Sequence, residues 1–153
     1  MRKCKLSVVV TFCNQSQFIR QALDNILAQQ VNFRYEILIG IDGEKDAETM
    51  SLITKYSNKY EFITILMCNS SDDLIGLSRA SRNRYSLAKK AVGQYITFLD
   101  GDDFYMSHKF FQKSVEFLDN NFEYIGYAHA HQIYNDKTMS FEQIIRPFQE
   151  GHP

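Results

Sequence analysis

The sequence predicts an α/β domain with three layers, α/β/α, built on a mostly parallel β-sheet. Short apolar runs of strand length alternate with longer segments in which apolar residues recur at helical spacing. Polar and acidic residues follow several of the apolar runs directly, and no internal repeat interrupts the alternation. Strands that alternate with helices in this way form parallel βαβ units.

The first half of the chain contains three predicted strands and two predicted helices. The strands are predicted over residues 6–12, 35–41 and 62–67, which are apolar runs typical of buried strands. Ser16 is a candidate N-cap of the first helix. The apolar face of that helix consists of Phe18, Ile19, Ala22, Leu23, Ile26 and Leu27. A more polar helix is predicted over residues 47–56.

The second half continues the alternation and then loses it. A helix is predicted over residues 76–91, and Gly93 is the signal that stops it. A fourth strand is predicted over 95–99. Ser107 is a candidate cap for the next helix, whose face consists of Phe110, Phe111, Val115 and Leu118. A fifth strand is predicted over 124–130. We therefore predict a domain over residues 1–135, and in 136–153 the start of a connection to a missing part.

Length and composition limit the class of protein and its partners. The 153 residues suffice for one domain with a hydrophobic core. Hydrophobic residues make up 44% and charged residues 23%, which excludes a disordered chain. The net charge of -1 excludes a general attraction to nucleic acid, so we expect no nucleic-acid partner and only local phosphate binding.

The cysteines and the hydropathy pattern predict a soluble, cytoplasmic protein. Cys4, Cys13 and Cys68 are widely spaced and form no CxxC pair, so neither a disulfide framework nor a zinc site is expected. No stretch approaches the roughly 18 apolar residues of a membrane span. No signal peptide is recognisable.

Polar side chains follow several predicted strands at the point where each strand ends. Asn14, Asp42 and Asp100 each lie just past such an end. Ligands of open parallel sheets bind beyond the carboxyl ends of the strands. We therefore expect the functional site at this edge of the sheet.

The loop Asp100-Gly101-Asp102-Asp103 places three carboxylates within four residues. Like charges this close repel one another, and a divalent cation offsets the repulsion. Mg²⁺ usually takes only one or two protein carboxylates and completes its shell with water and phosphate. The loop therefore predicts a Mn²⁺ or Mg²⁺ site shared with a diphosphate. The alternative is an acidic turn that caps the next helix.

Two further groups of charged residues are candidates for ligand binding. A carboxylate at the position of Asp42 can accept the ring N–H of a uracil or a ribose hydroxyl; the alternative for Asp42-Gly43 is a simple turn. Arg79, Arg82 and Arg84 lie near the start of a predicted helix, where the helix dipole disfavours cations. An anionic ligand would offset that conflict, and the alternative is a solvated arginine face.

Four segments, taken together and in order, resemble family 2 glycosyltransferases of the GT-A fold. They are residues 7–14 with 26–29, 36–43, 76–78 with 82–83, and 93–103. The resemblance implies the N-terminal donor part of an inverting, metal-dependent transferase that moves a sugar from a nucleotide diphosphate to an acceptor hydroxyl. A UDP-sugar is the favoured donor. The resemblance also implies that the catalytic base lies outside this chain, while the acceptor and any peripheral membrane association of the longer protein stay open.

The resemblance implies a nucleotide-binding role for four residues. Thr11 and the first loop, which includes Asn14, would contact the base. Asp42 would bind the uracil or an equivalent ring. Arg82 would lie near the base or the phosphates.

The resemblance assigns the acidic loop to ribose and metal. Asp100 would hold the ribose or assist the metal, Asp102 would be the principal metal ligand through the DxD motif, and Asp103 would support it. Two positions differ from the family's usual pattern. Cys13 stands where an aromatic residue usually stacks on the base, and Ile41 stands where a second aspartate usually precedes Asp42.

Other α/β classes fit the residues less well. No GxGxxG follows the first strand, which disfavours a dinucleotide-dependent oxidoreductase, and the absence of GxxxxGK[ST] excludes a P-loop NTPase. A phosphatase with an aspartyl nucleophile could also place DxD after a strand. A non-catalytic nucleotide- or protein-binding module on a degenerate transferase fold is the alternative from a different class.

Overall fold

The computed structural model describes residues 3–13, 15–42, 47–67 and 77–142 of the chain. The chain divides into two compact units; the first ends at Glu116 and the second begins at Phe117. The predicted boundary after residue 135 falls inside the second unit, and the domain assignment stays a prediction. The polar run over residues 69–73, which predicts a loop, and most of the predicted connection, from residue 143 onward, lie outside the described residues.

The described part of the first unit contains the alternating strands and helices that the sequence predicts. The strands are β1 (Leu6–Cys13), β2 (Tyr35–Asp42), β3 (Ile63–Met67) and β4 (Tyr95–Asp100). The helices are α1 (Ile19–Leu27), α2 (Ala47–Lys59), α3 (Leu77–Ala88) and α4 (Phe110–Asn120), the last of which extends into the second unit.

Of the two predicted helix caps, one is confirmed and one is wrong. The Ser107 hydroxyl accepts the backbone N–H of Lys109 at 3.2 Å, ahead of α4. Ser16 does not cap α1, because it begins a 3₁₀ turn, Ser16–Phe18, that leads into the helix. Phe18 occupies the N-cap position without a side-chain hydrogen bond.

All four strands are parallel and lie in the order β3-β2-β1-β4. The chain moves outward from β1 to β2 and β3, and then returns to place β4 on the other side of β1. Parallel crossover connections are right-handed, so this reversal of direction puts α3 on the face opposite α1 and α2. The predicted three-layer arrangement with a parallel sheet is therefore confirmed.

Alternate residues of β1 and β2 supply the cores on the two faces. On one face Val8, Val10 and Ile39 pack against α1, α2 and α4 in a large buried cluster. On the other face Val9 and Leu38 pack against Leu87 of α3. Because both faces of β1 and β2 are covered, their polar residues remain accessible only at the strand ends.

The predicted fifth strand over residues 124–130 is wrong. The segment has no regular secondary structure, and the second unit instead contains a short antiparallel hairpin of β5 (Ile133–Asn135) and β6 (Ser140–Glu142). Ile125 is fully exposed at 105%. Gly126 in the middle of the segment further weakens a strand, since it has no side chain to pack.

The hydropathy of the described helices agrees with the sequence pattern. No helix within the described ranges is long and apolar enough to cross a membrane, and the longest of them, α2, has 13 residues. Cys4 and Cys13 are not in disulfides, and Cys68 lies outside the described residues.

A small polar network joins β1, β2 and the start of β4 at the amino edge of the sheet. The Ser7 hydroxyl donates to Glu36 at 2.5 Å and accepts the backbone N–H of Gly93 at 2.9 Å. Glu36 also accepts the N–H of Val92 at 2.8 Å. A Cβ on Gly93 would lie 2.5 Å from the backbone nitrogen of Ser7, so only glycine permits this approach.

We expect Gly93→Ala to lower the free energy of unfolding by about 1–3 kcal/mol, because backbone atoms of β1 would have to move. Gly126→Ala is the matched control, since a Cβ there meets nothing within 4 Å. Urea denaturation of both variants measures the difference. Equal stabilities would show that the Gly93 contact is not restrictive.

Candidate functional site

Two aspartates lie on either side of the central strand β1 at the carboxyl edge of the sheet. Asp42 ends β2 and is opposite Cys13 in register, and Asp100 ends β4 opposite Thr11. Register partners in a parallel sheet share a face, and both carboxylates lie on the face covered by α3. The edge predicted from the sequence therefore brings Thr11, Asp42 and Asp100 together.

Asp42 is buried against α3. Its side chain Oδ2 accepts a hydrogen bond of 2.7 Å from the Nδ2 of Asn83, and both residues are only 5% exposed. A buried carboxylate oxygen without a donor would cost several kcal/mol, and the Asn83 amide supplies that donor. Asp42 is thus a fixed hydrogen-bonding group at the end of β2 rather than a solvated turn residue.

Asp100 is held by two groups on the same oxygen. The guanidinium of Arg84 forms an ion pair with its Oδ1, and the Thr11 hydroxyl donates to Oδ1 at 3.5 Å. The side chains of Arg84 and Asp100 are 34% and 46% exposed, which leaves the pair accessible to a ligand from solvent. Arg84 therefore supplies a positive charge next to the first aspartate of the acidic loop.

A cleft of about 280 Å³ opens between β3 and α3, next to the Asp42–Asn83 pair. Leu66 and Met67 line it from β3, and Arg82, Asn83 and Ser86 line it from α3. Its walls combine apolar side chains with a guanidinium and an amide, which is the composition of a small-molecule site. Arg82 thus lines the same cleft as Asn83, the partner of Asp42.

The acidic loop forms a tight turn after β4. The backbone N–H of Asp103 donates to the carbonyl of Asp100 at 2.9 Å, and Gly101 N–H donates to the carbonyl of Thr11 at 2.9 Å. Asp102 and Asp103 are exposed. Within the described ranges, no three His, Cys, Asp or Glu side chains are grouped so as to enclose a metal. Two exposed carboxylates nevertheless suit a hard cation that takes its other ligands from water and phosphate.

Glycine is required inside this turn because the chain passes over a buried ring. A Cβ on Gly101 would lie 2.1 Å from Cδ1 of Phe12, which is 2% exposed in the core. The close approach keeps Asp100 on β4 while the chain turns toward Asp102.

The far side of the turn is anchored to α1. The Asn25 amide bonds both backbone groups of Tyr105, donating to its carbonyl at 2.9 Å and accepting its N–H at 2.8 Å. The Tyr105 ring stacks on Phe110 at 4.7 Å. Burial raises the pKa of the Tyr105 phenol to about 12, although its hydrogen bond with Thr97 lowers it, and the Asp103 carboxylate adds to the increase.

The structure accounts for one of the two departures from the family's usual pattern. Ile41 is 2% exposed in the cluster beneath α1 and α2, on the face opposite Asp42. A carboxylate at position 41 would therefore be buried among apolar side chains, on the face away from α3. Cys13 is exposed at the end of β1. Nothing in the structure explains why this position is a cysteine.

Not every predicted site residue can be placed, and some of the site was not predicted. Asn14 and Gly43 lie outside the described residues. The sequence did not reveal that Asn83 and Arg84 bind the two aspartates or that Asn25 anchors the acidic loop. These contacts join residues 41, 16 and 80 positions apart, so no local pattern indicates them.

Comparison with known proteins places the chain among sugar transferases. Residues 7–151 match the family described as glycosyl transferase family 2. A protein of Mycobacterium tuberculosis is 30% identical over 138 residues, which cover 90% of this chain and 38% of that protein. A cholesterol galactosyltransferase of Borreliella burgdorferi is 34% identical over 67% of this chain and 26% of its own length. The chain thus spans well under half of these relatives.

Solved structures share the fold. S. aureus TarS in complex with UDP-GlcNAc superposes with a TM-score of 0.62 at 23% identity, over 77% of this chain and 32% of that one. The Pyrobaculum calidifontis mannosyltransferase PcManGT, in complex with GDP-Man and Mn²⁺, gives 0.60 at 17% identity, over 77% and 33%. At these identities the likeness concerns the fold, which is the predicted GT-A type.

We expect Gly101→Ala to lower the free energy of unfolding by about 1–3 kcal/mol, since the buried Phe12 ring must move to admit the methyl group. Urea denaturation measures it against Gly126→Ala, which has open space around it. A Gly101→Ala protein as stable as that control would mean that the turn is looser than the geometry indicates.

We expect a loss of stability between pH 10 and 12 that depends on Tyr105, because its unfolded phenol ionises near 10 and its folded one near 12. The stabilisation is complete below pH 10 and is lost as the pH rises through 12, up to about 3 kcal/mol. Tyr105→Phe should remove this part of the pH dependence, as measured by urea denaturation across that range. An unaltered slope in the variant would argue against the raised pKa.

Proposed function

Because the chain belongs to glycosyl transferase family 2, we propose that it is the donor-binding part of a glycosyltransferase. It binds a nucleotide-diphosphate sugar, with a UDP-sugar favoured, for transfer to an acceptor hydroxyl with inversion. One observation supports this most: Asp42 and Asp100 flank β1 on one face of the carboxyl edge, next to the exposed acidic turn.

The nucleoside would occupy the space beside the two paired aspartates. Asp42 can accept the ring N–H of a uracil, and the cleft next to it has the apolar walls that a base requires. Asp100, beside Thr11, can accept a ribose hydroxyl. Arg82 in the wall of the cleft is suited to the base or to the phosphates. Thr11 and the loop that includes Asn14 complete the contacts with the base in this proposal.

The diphosphate would lie over the acidic turn together with Mn²⁺ or Mg²⁺. Asp102 and Asp103 would hold the cation, since both are exposed and carboxylate oxygens suit either ion. The cation would offset the negative charge of the diphosphate leaving group. The chain's own residues bind and orient the donor, and Arg84 offsets the negative charge of the Asp100 carboxylate.

The proteins with similar structures support the donor class and the metal. S. aureus TarS binds UDP-GlcNAc in its crystal, and PcManGT is in complex with GDP-Man and Mn²⁺. The catalytic base that activates the acceptor belongs, in this proposal, to the part of the protein beyond this chain. The acceptor stays open, and so does membrane association of the longer protein. A cytoplasmic location stays a prediction.

A nucleotide-binding module without transferase activity is the alternative function. The ion pair between Arg84 and Asp100 favours it, because an arginine compensates an acidic charge without any metal. A module of this kind would bind UDP equally well with and without Mn²⁺ and would not consume UDP-sugar. The metal dependence of binding therefore separates the two functions.

We expect UDP to bind more tightly with Mn²⁺ than with EDTA, and Asp102→Asn to abolish that difference, as measured by calorimetry. At a hundred times its dissociation constant, UDP should add about 2.7 kcal/mol to the stability of the wild type. Asp136→Asn, which alters an exposed aspartate in the turn between β5 and β6, is the matched control.

Two results would contradict the proposal. If Asp102→Asn retained the full effect of Mn²⁺, the acidic turn would not be the metal site. If neither UDP nor GDP bound under any condition, the donor-binding function itself would be wrong.

A further inference from the structure

Two consecutive residues of α3 reach the two aspartates that flank β1. Asn83 donates to Asp42 at the end of β2, and Arg84 pairs with Asp100 at the end of β4. Successive side chains of an α-helix point about 100° apart, so two neighbours can reach opposite sides of one strand. The two acids are thus connected through a single turn of helix.

α3 is itself firmly seated on the sheet at this place. Leu87, one turn beyond Asn83, is completely buried against Val9 and Leu38. The helix lies across β1 and β2, whose register with β4 is continuous. Its position therefore determines where both the amide of Asn83 and the guanidinium of Arg84 meet their acids.

Each contact holds a carboxylate oxygen in a defined direction. The hydrogen bond from Asn83 occupies Oδ2 of Asp42, and Arg84 together with Thr11 occupies Oδ1 of Asp100. Groups oriented before a ligand arrives lower the entropy cost of binding. Hydrogen bonds to charged groups also contribute more than neutral ones, so their loss should be measurable.

We propose that Asn83 and Arg84 are positioning residues that orient Asp42 and Asp100 for the nucleoside half of the donor. The inference rests on the proposed function and adds that nucleoside affinity is set from α3, separately from the metal and the diphosphate. A divalent ion on Asp100 would lie beside the guanidinium of Arg84, and like charges repel.

The test is calorimetry of UDP binding in EDTA and in Mn²⁺ with Asn83→Ala and Arg84→Met. Each variant should weaken UDP binding in EDTA by about 10- to 100-fold. The ratio of affinities with and without Mn²⁺ should stay as in the wild type. Arg84→Lys, which keeps the charge, should recover part of the loss. If Asn83 and Arg84 had only a structural role, both variants would have a lower melting temperature. The loss of UDP affinity would then not be confined to the part of binding that is independent of Mn²⁺.

Matched controls lie at the opposite edge of the sheet. Gln29→Ala removes a buried amide that bonds Ser107 carbonyl at 2.8 Å and Phe111 N–H at 3.2 Å, so it costs comparable stability far from the site. Arg34→Ala removes an exposed arginine just before β2. Both controls should bind UDP like the wild type.

The outcomes distinguish this inference from the proposed function. Wild-type affinity for UDP in both variants overturns the inference while the function stands. Tighter Mn²⁺ binding in Arg84→Met, with unchanged UDP binding in EDTA, would make Asp100 a metal ligand and also overturns it. If the wild type bound UDP only in Mn²⁺, nucleoside affinity would not be separate from the metal, and the inference would be wrong. No UDP binding by the wild type at all contradicts the proposed function. If Asn83→Ala does not fold, Arg84→Met decides.

Discussion

The seating of α3 across β1 and β2 combines an apolar contact with two polar ones. Leu87 is buried against the sheet, while Asn83 and Arg84 meet carboxylates at its carboxyl edge. The burial of Leu87 against two strands is worth on the order of 2 kcal/mol and is not directional. The polar contacts are directional. The position of α3 therefore determines how the carboxylates of Asp42 and Asp100 are oriented.

This arrangement divides the acidic groups of the site into two kinds. Asp42 and Asp100 point to the α3 face, where Asp42 accepts a hydrogen bond from the Asn83 amide and Asp100 pairs with the Arg84 guanidinium. Asp102 and Asp103 follow the turn at Gly101 and are exposed to solvent. The inner pair is suited to hydrogen-bond a nucleoside, and the outer pair is suited to an ion that also has water and phosphate ligands.

The strand and helix pattern of the first unit could be predicted because both faces of the sheet are covered. Apolar runs of strand length, such as residues 6–12 and 35–41, are typical of parallel strands that are buried on both faces. The fifth strand could not be predicted in the same way. Residues 124–130 contain aromatic and β-branched side chains typical of strands, but a strand also requires a neighbour to bond, and no strand among the described residues pairs with this segment.

The sequence alone determined the layers of the first unit and the edge of the sheet at which Asp42 and Asp100 lie. Local periodicity and the position of polar residues at strand ends contain that information. Only the tertiary structure decided which groups compensate the aspartates. The partners of Asp42 and Asp100 both come from α3, which lies across β1 and β2 on one face of the sheet. The rotation of α3 about its own axis depends on packing against both strands at once. No local spacing along the chain determines such a rotation.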